Sequence, residues 1–247
     1  MNLSPRRTVV ITGASSGIGA ASARHLDAAG FDLVLGARRM DRLAEVAEPI
    51  GARYHELDVC DNASVNAFCT FVGPCDVLIN NAGGALGLDR VEAADEDGWR
   101  WMFEANVLGM VRMVKGLLPA LRVSADAHIV TMGSVAGVEA YAGGAGYNVA
   151  KYGAHAVNDV LRLELLSERI RVTEIAPGAV RTEFSLVRFE GDVEKSEKPY
   201  AGITPLTADD VAEVVAFAVT RPANVNLDYI AMKPRQQASA KVFHREL

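Results

Sequence analysis

The chain of 247 residues predicts an α/β protein with a doubly wound parallel sheet of seven strands in a single domain. Three observations carry this expectation. Short β-branched runs alternate with longer amphipathic stretches, the rhythm of strand–helix–strand units. A glycine-rich turn joins the first strand to the first helix. No Pro/Gly/Ser linker, internal repeat or low-complexity segment interrupts the alternation, so one unit over residues 1–247 is preferred to two.

In chain order the strands are expected at 8–12, 32–36, 53–57, 77–80, 127–132, 171–176 and 229–232. Helices are expected near 17–29, 41–50, 63–71, 96–121, 147–168 and 208–220. Gly30 supplies a stop signal after the first helix and Thr207 an N-cap for the last. Residues 183–205, E-F-S-L-V-R-F-E-G-D-V-E-K-S-E-K-P-Y-A-G-I-T-P, break the rhythm. Long insertions in compact domains often serve as lids or binding loops, so this is the expected substrate loop; otherwise it is a solvated surface excursion.

Half the residues are apolar and 23% are charged, as expected of a folded, soluble protein with a sizeable core. A net charge of −6 without a basic stripe argues against nucleic acid or an anionic membrane as partner, leaving a small-molecule substrate. Cys60, Cys69 and Cys75 show no ligand spacing with a histidine, so neither a disulfide framework nor a bound metal is expected. The start, M-N-L-S-P-R-R-T-V-V-I-T, runs straight into a strand without a signal peptide's apolar region. No apolar run approaches the roughly 20 residues that span a membrane, and the expected location is the cytoplasm.

The turn T-G-A-S-S-G-I-G covers residues 12–19. Glycines at 13, 17 and 19 let the backbone turn tightly and approach a pyrophosphate seated on the free N–H groups of the following helix. Its spacing departs from G-x-G-x-x-G, but the strand before and helix after supply the context of a dinucleotide site. An acidic residue ending the second strand would suit a free ribose 2′-OH. Instead the chain reads Ala37, Arg38, Arg39. Paired guanidiniums suit a 2′-phosphate, so NADP is expected over NAD; otherwise both are solvated charges and Asp41 is only a helix N-cap.

Tyr147 and Lys151 in Y-N-V-A-K lie one turn apart on one helix face. A phenol near its ordinary pKa of about 10 transfers protons poorly at neutral pH. A cation at about 4 Å, in an effective dielectric of about 20, favours the phenolate by roughly 4 kcal/mol, or about three pKa units. Ser134, just past the strand ending near Met132, is placed to hydrogen-bond a substrate oxygen. Together they make a carbonyl-reduction site, with Tyr147 giving the proton and Lys151 tuning it.

With N-N-A-G at 80–83, Asn106 and P-G at 177–178, these motifs resemble the short-chain dehydrogenase/reductase family over essentially the whole chain. The resemblance implies a Rossmann-type sheet and a catalytic tetrad of Asn106, Ser134, Tyr147 and Lys151, with Asn106 holding a proton-relaying water. It implies a phosphate turn of Gly13, Ser15, Ser16, Gly17, Ile18 and Gly19, with Arg38 and Arg39 beyond it. Asp58 and Val59 would meet the adenine, and Asn80, Ala82 and Gly83 would lie behind the adenosine. Pro177, Gly178, Val180 and Thr182 would border the nicotinamide, with Tyr147 and Lys151 touching the cofactor as well. The small-residue helices over 107–121 and 150–166 would pack across a subunit boundary in a homo-oligomer, a dimer or tetramer.

A narrower resemblance lies in N-N-A-G-G-A-L-G, Y-A-G-G at 141–144, T-E-F-S-L-V-R-F-E-G-D and N-V-N-L-D-Y-I-A-M-K-P. These segments are similar to the NADP-dependent 3-hydroxy acid dehydrogenases. Such substrates carry a carboxylate, which calls for a cation: Arg188 first, with Lys195, Lys198 and Arg235 behind it. Tyr141 to Gly144, Gly143 included, form either the pocket floor or a plain turn. The expected reaction is reversible oxidation of the 3-hydroxyl of a small 3-hydroxy acid. The alternatives are reduction of a bulkier ketone or aldehyde and, from another class, a dinucleotide sensor without turnover.

Three features are assigned no catalytic part. The five histidines are scattered without ligand spacing. Trp99 and Trp101 are expected to point apart, one to the core and one to the surface. The late stretch Q-Q-A-S-A-K-V-F-H-R is either a disordered tail or docks on a neighbouring subunit.

Overall fold

Aliphatic and β-branched runs build one parallel sheet of seven strands in the computed structural model, which describes residues 6–246. The strands are β1 (Thr8–Thr12), β2 (Asp32–Ala37), β3 (Arg53–Glu56), β4 (Val77–Asn80), β5 (His128–Met132), β6 (Arg171–Pro177) and β7 (Tyr229–Met232), in spatial order β3-β2-β1-β4-β5-β6-β7. Every pairing is parallel. Helices cover both faces, so β4, β5 and β6 are buried throughout. Period-two alternation divides the core: Val9 and Ile11 of β1 join one apolar cluster and Val10 the other. The strand order reverses between β1 and β4, which opens a crevice beyond the carboxyl ends of the strands.

The helices are α1 (Gly17–Ala28), α2 (Met40–Ala47), α3 (Asn62–Val72), α4 (Glu96–Phe103), α5 (Gly109–Leu121), α6 (Ala145–Glu164), α7 (Phe184–Arg188), α8 (Val193–Glu197) and α9 (Ala208–Val219). The helix expected over 96–121 runs without a gap but is not α-helical throughout: a π-helical turn at Glu104–Leu108 joins α4 to α5 and carries Asn106. The segment expected as a loop at 183–205 holds α7, α8 and a 3-10 turn, Lys198–Tyr200. Its anchor is Tyr200, buried, whose hydroxyl donates to the Val180 carbonyl at 2.9 Å and pairs with Ser185 at 2.7 Å.

The late stretch is not a disordered tail, because it docks on its own chain. Gln237 accepts the Ala179 N–H at 2.8 Å, and Glu139 takes both the Ala240 N–H at 2.6 Å and Lys233 at 2.8 Å. Trp99 and Trp101 do not diverge either, since both pack around the small cluster of Ala85, Met102, Ala136, Tyr147 and Ala150. All three cysteines are free, and burial pushes their thiols up, Cys60 and Cys69 to about 11 and Cys75 to about 12, which leaves them inert. Among the described residues no His/Cys/Asp/Glu cluster is arranged to hold a metal, and no helix is long and apolar enough to cross a membrane.

The last helix is closed by a capping box: the Thr207 hydroxyl accepts the Asp210 N–H at 3.1 Å, and the Asp210 carboxylate accepts the Thr207 N–H at 2.7 Å. Because α9 packs closely on α1 beside the sheet, fraying its first turn loosens that layer. Thr207→Ala is expected to lower stability by about 1 kcal/mol, read from urea unfolding.

Candidate active site

The crevice at the strand ends is a cavity of about 840 Å³ that runs from the Gly-rich turn to the substrate segment. At its first end Gly13 has φ +66, and a Cβ there would lie 2.9 Å from the Ala82 backbone, so glycine is required. Ser16 begins α1 without a side-chain cap, which leaves the first N–H groups of the helix available to an anion. Ser15, Ser16, Gly17 and Ile18 line the cavity beside them. Gly19 is not in the lining: it packs under the Gly13 carbonyl, where a Cβ would lie 2.5 Å away, and supports the turn from behind.

Arg38 and Arg39 stand at this end, both exposed. The Arg39 guanidinium donates to Ser16 Oγ at 2.6 Å and to Ser15 Oγ at 3.3 Å, and it pairs with Glu183 at 2.9 Å. Glu183 also takes Arg42 at 2.5 Å. The residue that opens the 183–205 segment is thus tied to the glycine-turn end of the cavity. Nothing local in the sequence signals that tie, since its members lie more than a hundred positions apart.

Asp58, Val59, Ala82 and Gly83 line the cavity, as do Pro177, Gly178, Val180 and Thr182. Asn80 does not: it still belongs to β4, and its amide is buried without a partner. The next residue, Asn81, lines the cavity instead and donates from Nδ2 to the carbonyls of Thr12 at 2.9 Å and Gly13 at 3.2 Å, which braces the turn. These residues fit a dinucleotide: a glycine cradle, uncapped helix N–H groups and arginines at one end.

The tetrad residues meet at the other end. Ser134 follows β5 and accepts the Ala136 N–H at 3.1 Å. Asn106 donates from Nδ2 to Met102 O at 2.7 Å and Gly84 O at 2.9 Å, while its Oδ1 is buried without a partner and remains able to accept from a water. Tyr147 and Lys151 project from the first turns of α6, both buried. Lys151 Nζ donates to the Met132 carbonyl at 2.8 Å and lies 5.8 Å from the centre of the Tyr147 ring.

The expectation that Lys151 draws the phenol toward neutrality is not met in this geometry. Burial dominates and pushes Tyr147 well above its ordinary value, with Tyr141 adding to the rise, while the Ser134 hydroxyl and Arg188 pull it down. Tyr147 therefore holds its proton at neutral pH. Burial likewise draws Lys151 down from 10.5 to about 8.

Arg188 is buried beside these groups, its guanidinium carbon 5.5 Å from the centre of the Tyr147 ring. It donates to Gly87 O at 2.8 Å and to the Tyr141 hydroxyl at 3.3 Å, but Nη2 is buried without a partner. Among the described residues no carboxylate pairs with it. Lys195 and Lys198 also line the cavity but are exposed and paired with Asp192 and Glu194, and Arg235 stands outside it. Tyr141 lines the cavity, whereas Gly143 does not. With φ +76 and the Leu88 carbonyl 2.7 Å from where a Cβ would sit, Gly143 is a turn residue. Trp101, Phe184 and Lys241 complete this end. Lys241 arrives on the C-terminal segment, 4.7 Å from the Tyr141 ring centre, and only the tertiary structure brings it there.

Residues 7–191 match the family described as short chain dehydrogenase. An uncharacterised oxidoreductase of Mycobacterium tuberculosis is 54% identical over 235 residues, covering 95% of this chain and 94% of its own. An NADP-dependent 3-hydroxy acid dehydrogenase of Schizosaccharomyces pombe is 39% identical over 251 residues, covering 97% of each. Among solved structures, the closed form of a serine dehydrogenase complexed with NADP+ superposes with a TM-score of 0.91 at 36% identity, covering 97% of this chain and 100% of that one.

The low value at Lys151 makes stability depend on pH. Between about 8 and 10.5 the folded chain binds fewer protons at this position than the unfolded chain, so stability rises with pH through that window. Relative to Lys151→Met, the wild type is expected to gain about 3 kcal/mol as pH rises from below 8 to above 10.5, measured by urea unfolding at each pH.

Proposed function

This chain belongs to the short chain dehydrogenase family, and we propose that it is an NADP-dependent oxidoreductase interconverting the 3-hydroxyl and 3-oxo forms of a small 3-hydroxy acid. The observation that carries the substrate class is Arg188, a buried guanidinium with a free Nη2 and no acid partner, beside the proton-donating Tyr147. A buried cation without a counter-charge is costly, and a substrate carboxylate supplies the missing partner. The 3-hydroxy acid and serine dehydrogenases similar to this chain support the same class.

NADP supplies or accepts the hydride when bound. The turn from Gly13 to Ile18 with the first N–H groups of α1 holds its pyrophosphate, and Arg38 and Arg39 hold its 2′-phosphate. At the substrate end, Arg188 fixes the carboxylate by a charge-assisted hydrogen bond, which leaves the 3-position toward Ser134 and Tyr147. Ser134 donates to the substrate oxygen, and Tyr147 gives that oxygen its proton in reduction and takes it back in oxidation. Lys151 stabilises the phenolate that results, and the buried Oδ1 of Asn106 holds a water that returns protons to the site. Trp101 and Phe184, the latter with its ring 5.5 Å from that of Tyr147, exclude bulk water.

The reaction is placed in the cytoplasm, and the protein is read as a homo-oligomer. Supporting the latter, Val149, Tyr152, Val160 and Leu163 leave one side of α6 apolar and exposed.

The deciding experiment compares initial rates of NADP+ reduction with serine, allo-threonine and 3-hydroxypropionate against matched alcohols lacking the carboxylate. The acids are expected to turn over at least tenfold faster, about 1.4 kcal/mol of transition-state preference. Arg188→Met is expected to abolish that preference and Tyr147→Phe all turnover. Equal rates with plain alcohols would sink the hydroxy-acid assignment and leave a general carbonyl reductase. Arg38→Ala combined with Arg39→Ala is expected to weaken NADP binding far more than NAD binding in titration calorimetry; equal losses would remove the 2′-phosphate role.

A further inference from the structure

Glu174 lies in the middle of β6, 1% exposed, where an unpaired carboxylate costs several kcal/mol by the usual order of magnitude. Its Oε2 is 2.6 Å from Nδ1 of His155 on α6. Its Oε1 is buried and has no hydrogen-bond partner. That oxygen rests on the backbone of Gly133, where a Cβ would lie 2.0 Å from it. Gly133 follows Met132, whose carbonyl receives Lys151 Nζ. Register pairs Glu174 with Thr131 of β5, and His155 stands one helical turn beyond Lys151. Sheet and helix therefore bring the carboxylate behind the catalytic lysine from two sides.

The other charged and titratable groups around the pair are few. From α6 come Lys151, His155 and Asp159, the last 3.6 Å from His155 Nε2. From β7 comes Tyr229, whose ring meets that of His155 edge-on at 5.6 Å, with Glu139 and its partner Lys233 beyond it. Of these, Lys151 alone belongs to the catalytic set.

We propose that Glu174, oriented by His155, is a positioning residue for the oxidoreductase reaction: its buried carboxylate keeps the Lys151 ammonium charged, and so able to stabilise the Tyr147 phenolate. This rests on reading Tyr147 and Lys151 as the proton-transfer pair. A carbonyl accepts from an amine or an ammonium, so Met132 orients Lys151 without fixing its charge. A nearby negative charge does fix it. Burial is the largest influence on Lys151, and Glu174 is the group that opposes it. Burial raises the Glu174 carboxyl above its ordinary value, and His155, then Lys151, hold that rise back.

The test follows the titration of Lys151 Nζ by nitrogen-15 NMR in the full chain, its signal assigned by loss in Lys151→Met. In Glu174→Gln the midpoint is expected to fall by about 1 pH unit or more. Glu174→Asp, which keeps the charge, is expected to return it most of the way. In the same Gln variant kcat at neutral pH is expected to fall with KM little changed, and the pH–rate profile to move with the midpoint. A merely structural role would lower the rate without moving either. Should Glu174→Gln fail to fold, Glu174→Met with His155→Phe removes the pair as apolar groups of similar volume, and the same fall is expected. An unchanged midpoint in either folded variant overturns the proposal. Because the titration needs no substrate, a lowered midpoint without turnover of hydroxy acids would uphold Glu174 and fault only the substrate class.

Discussion

The reversal of strand order between β1 and β4 is the constraint on which the rest of the molecule depends. A parallel sheet sends its helices to opposite faces on either side of that point, so a crevice must open beyond the strand ends there. The glycine turn leaves β1, Asn81 leaves β4, Ser134 leaves β5 and Gly178 leaves β6, and all reach the same cavity. None of them needs a long loop to arrive. The rigid sheet sets their spacing, and α6 adds the phenol and the ammonium from one side.

The site is also where the structure departs from the ordinary rules of burial. Asn106 Oδ1, Glu174 Oε1 and Arg188 Nη2 are buried without partners, and Lys151 is a buried ammonium. Buried polar groups are usually hydrogen-bonded, and each unmet one costs about 1–3 kcal/mol; the chain carries others away from the site, on Ser22 and Asn158 among them. The large apolar clusters on both faces of the sheet offset that cost. At Asn106 and Arg188, which line the cavity, stability given up in this way leaves polar atoms already stripped of water.

How much of this was legible in the sequence follows from the range of the interactions. The Gly-rich turn and the Tyr147–Lys151 pair are local, written within eight and five residues, and the structure arranges both as spacing demands. All seven strands fell within a residue or so of their expected bounds, because their apolar runs are short and sharply ended. The tie from Arg39 and Arg42 to Glu183, and the C-terminal segment over Tyr141, depend on contacts across much of the chain, which periodicity does not encode. The π turn carrying Asn106 was hidden because its residues suit an ordinary helix equally well. Glu174 did leave a trace, an acid inside an otherwise buried strand, and His155 four residues after Lys151 left another. Each looked unremarkable alone, and only their meeting gives them meaning. The energetics of Tyr147 were misjudged for a related reason, since the depth of burial and the turning of Lys151 toward Met132 are tertiary facts.

The bridge through Glu183 bears on how this scaffold can be re-engineered. Arg39 both lines the cavity beside the glycine turn and is one of two anchors for the start of the 183–205 segment, and although each exposed pair is worth only about 0.2–1 kcal/mol, α7, which ends in Arg188, begins directly behind that anchor. Exchanging the arginines therefore also alters how firmly the segment that carries Arg188 is held. The two ends of the cavity are not independent design variables here, and libraries that vary position 39 should vary position 183 with it.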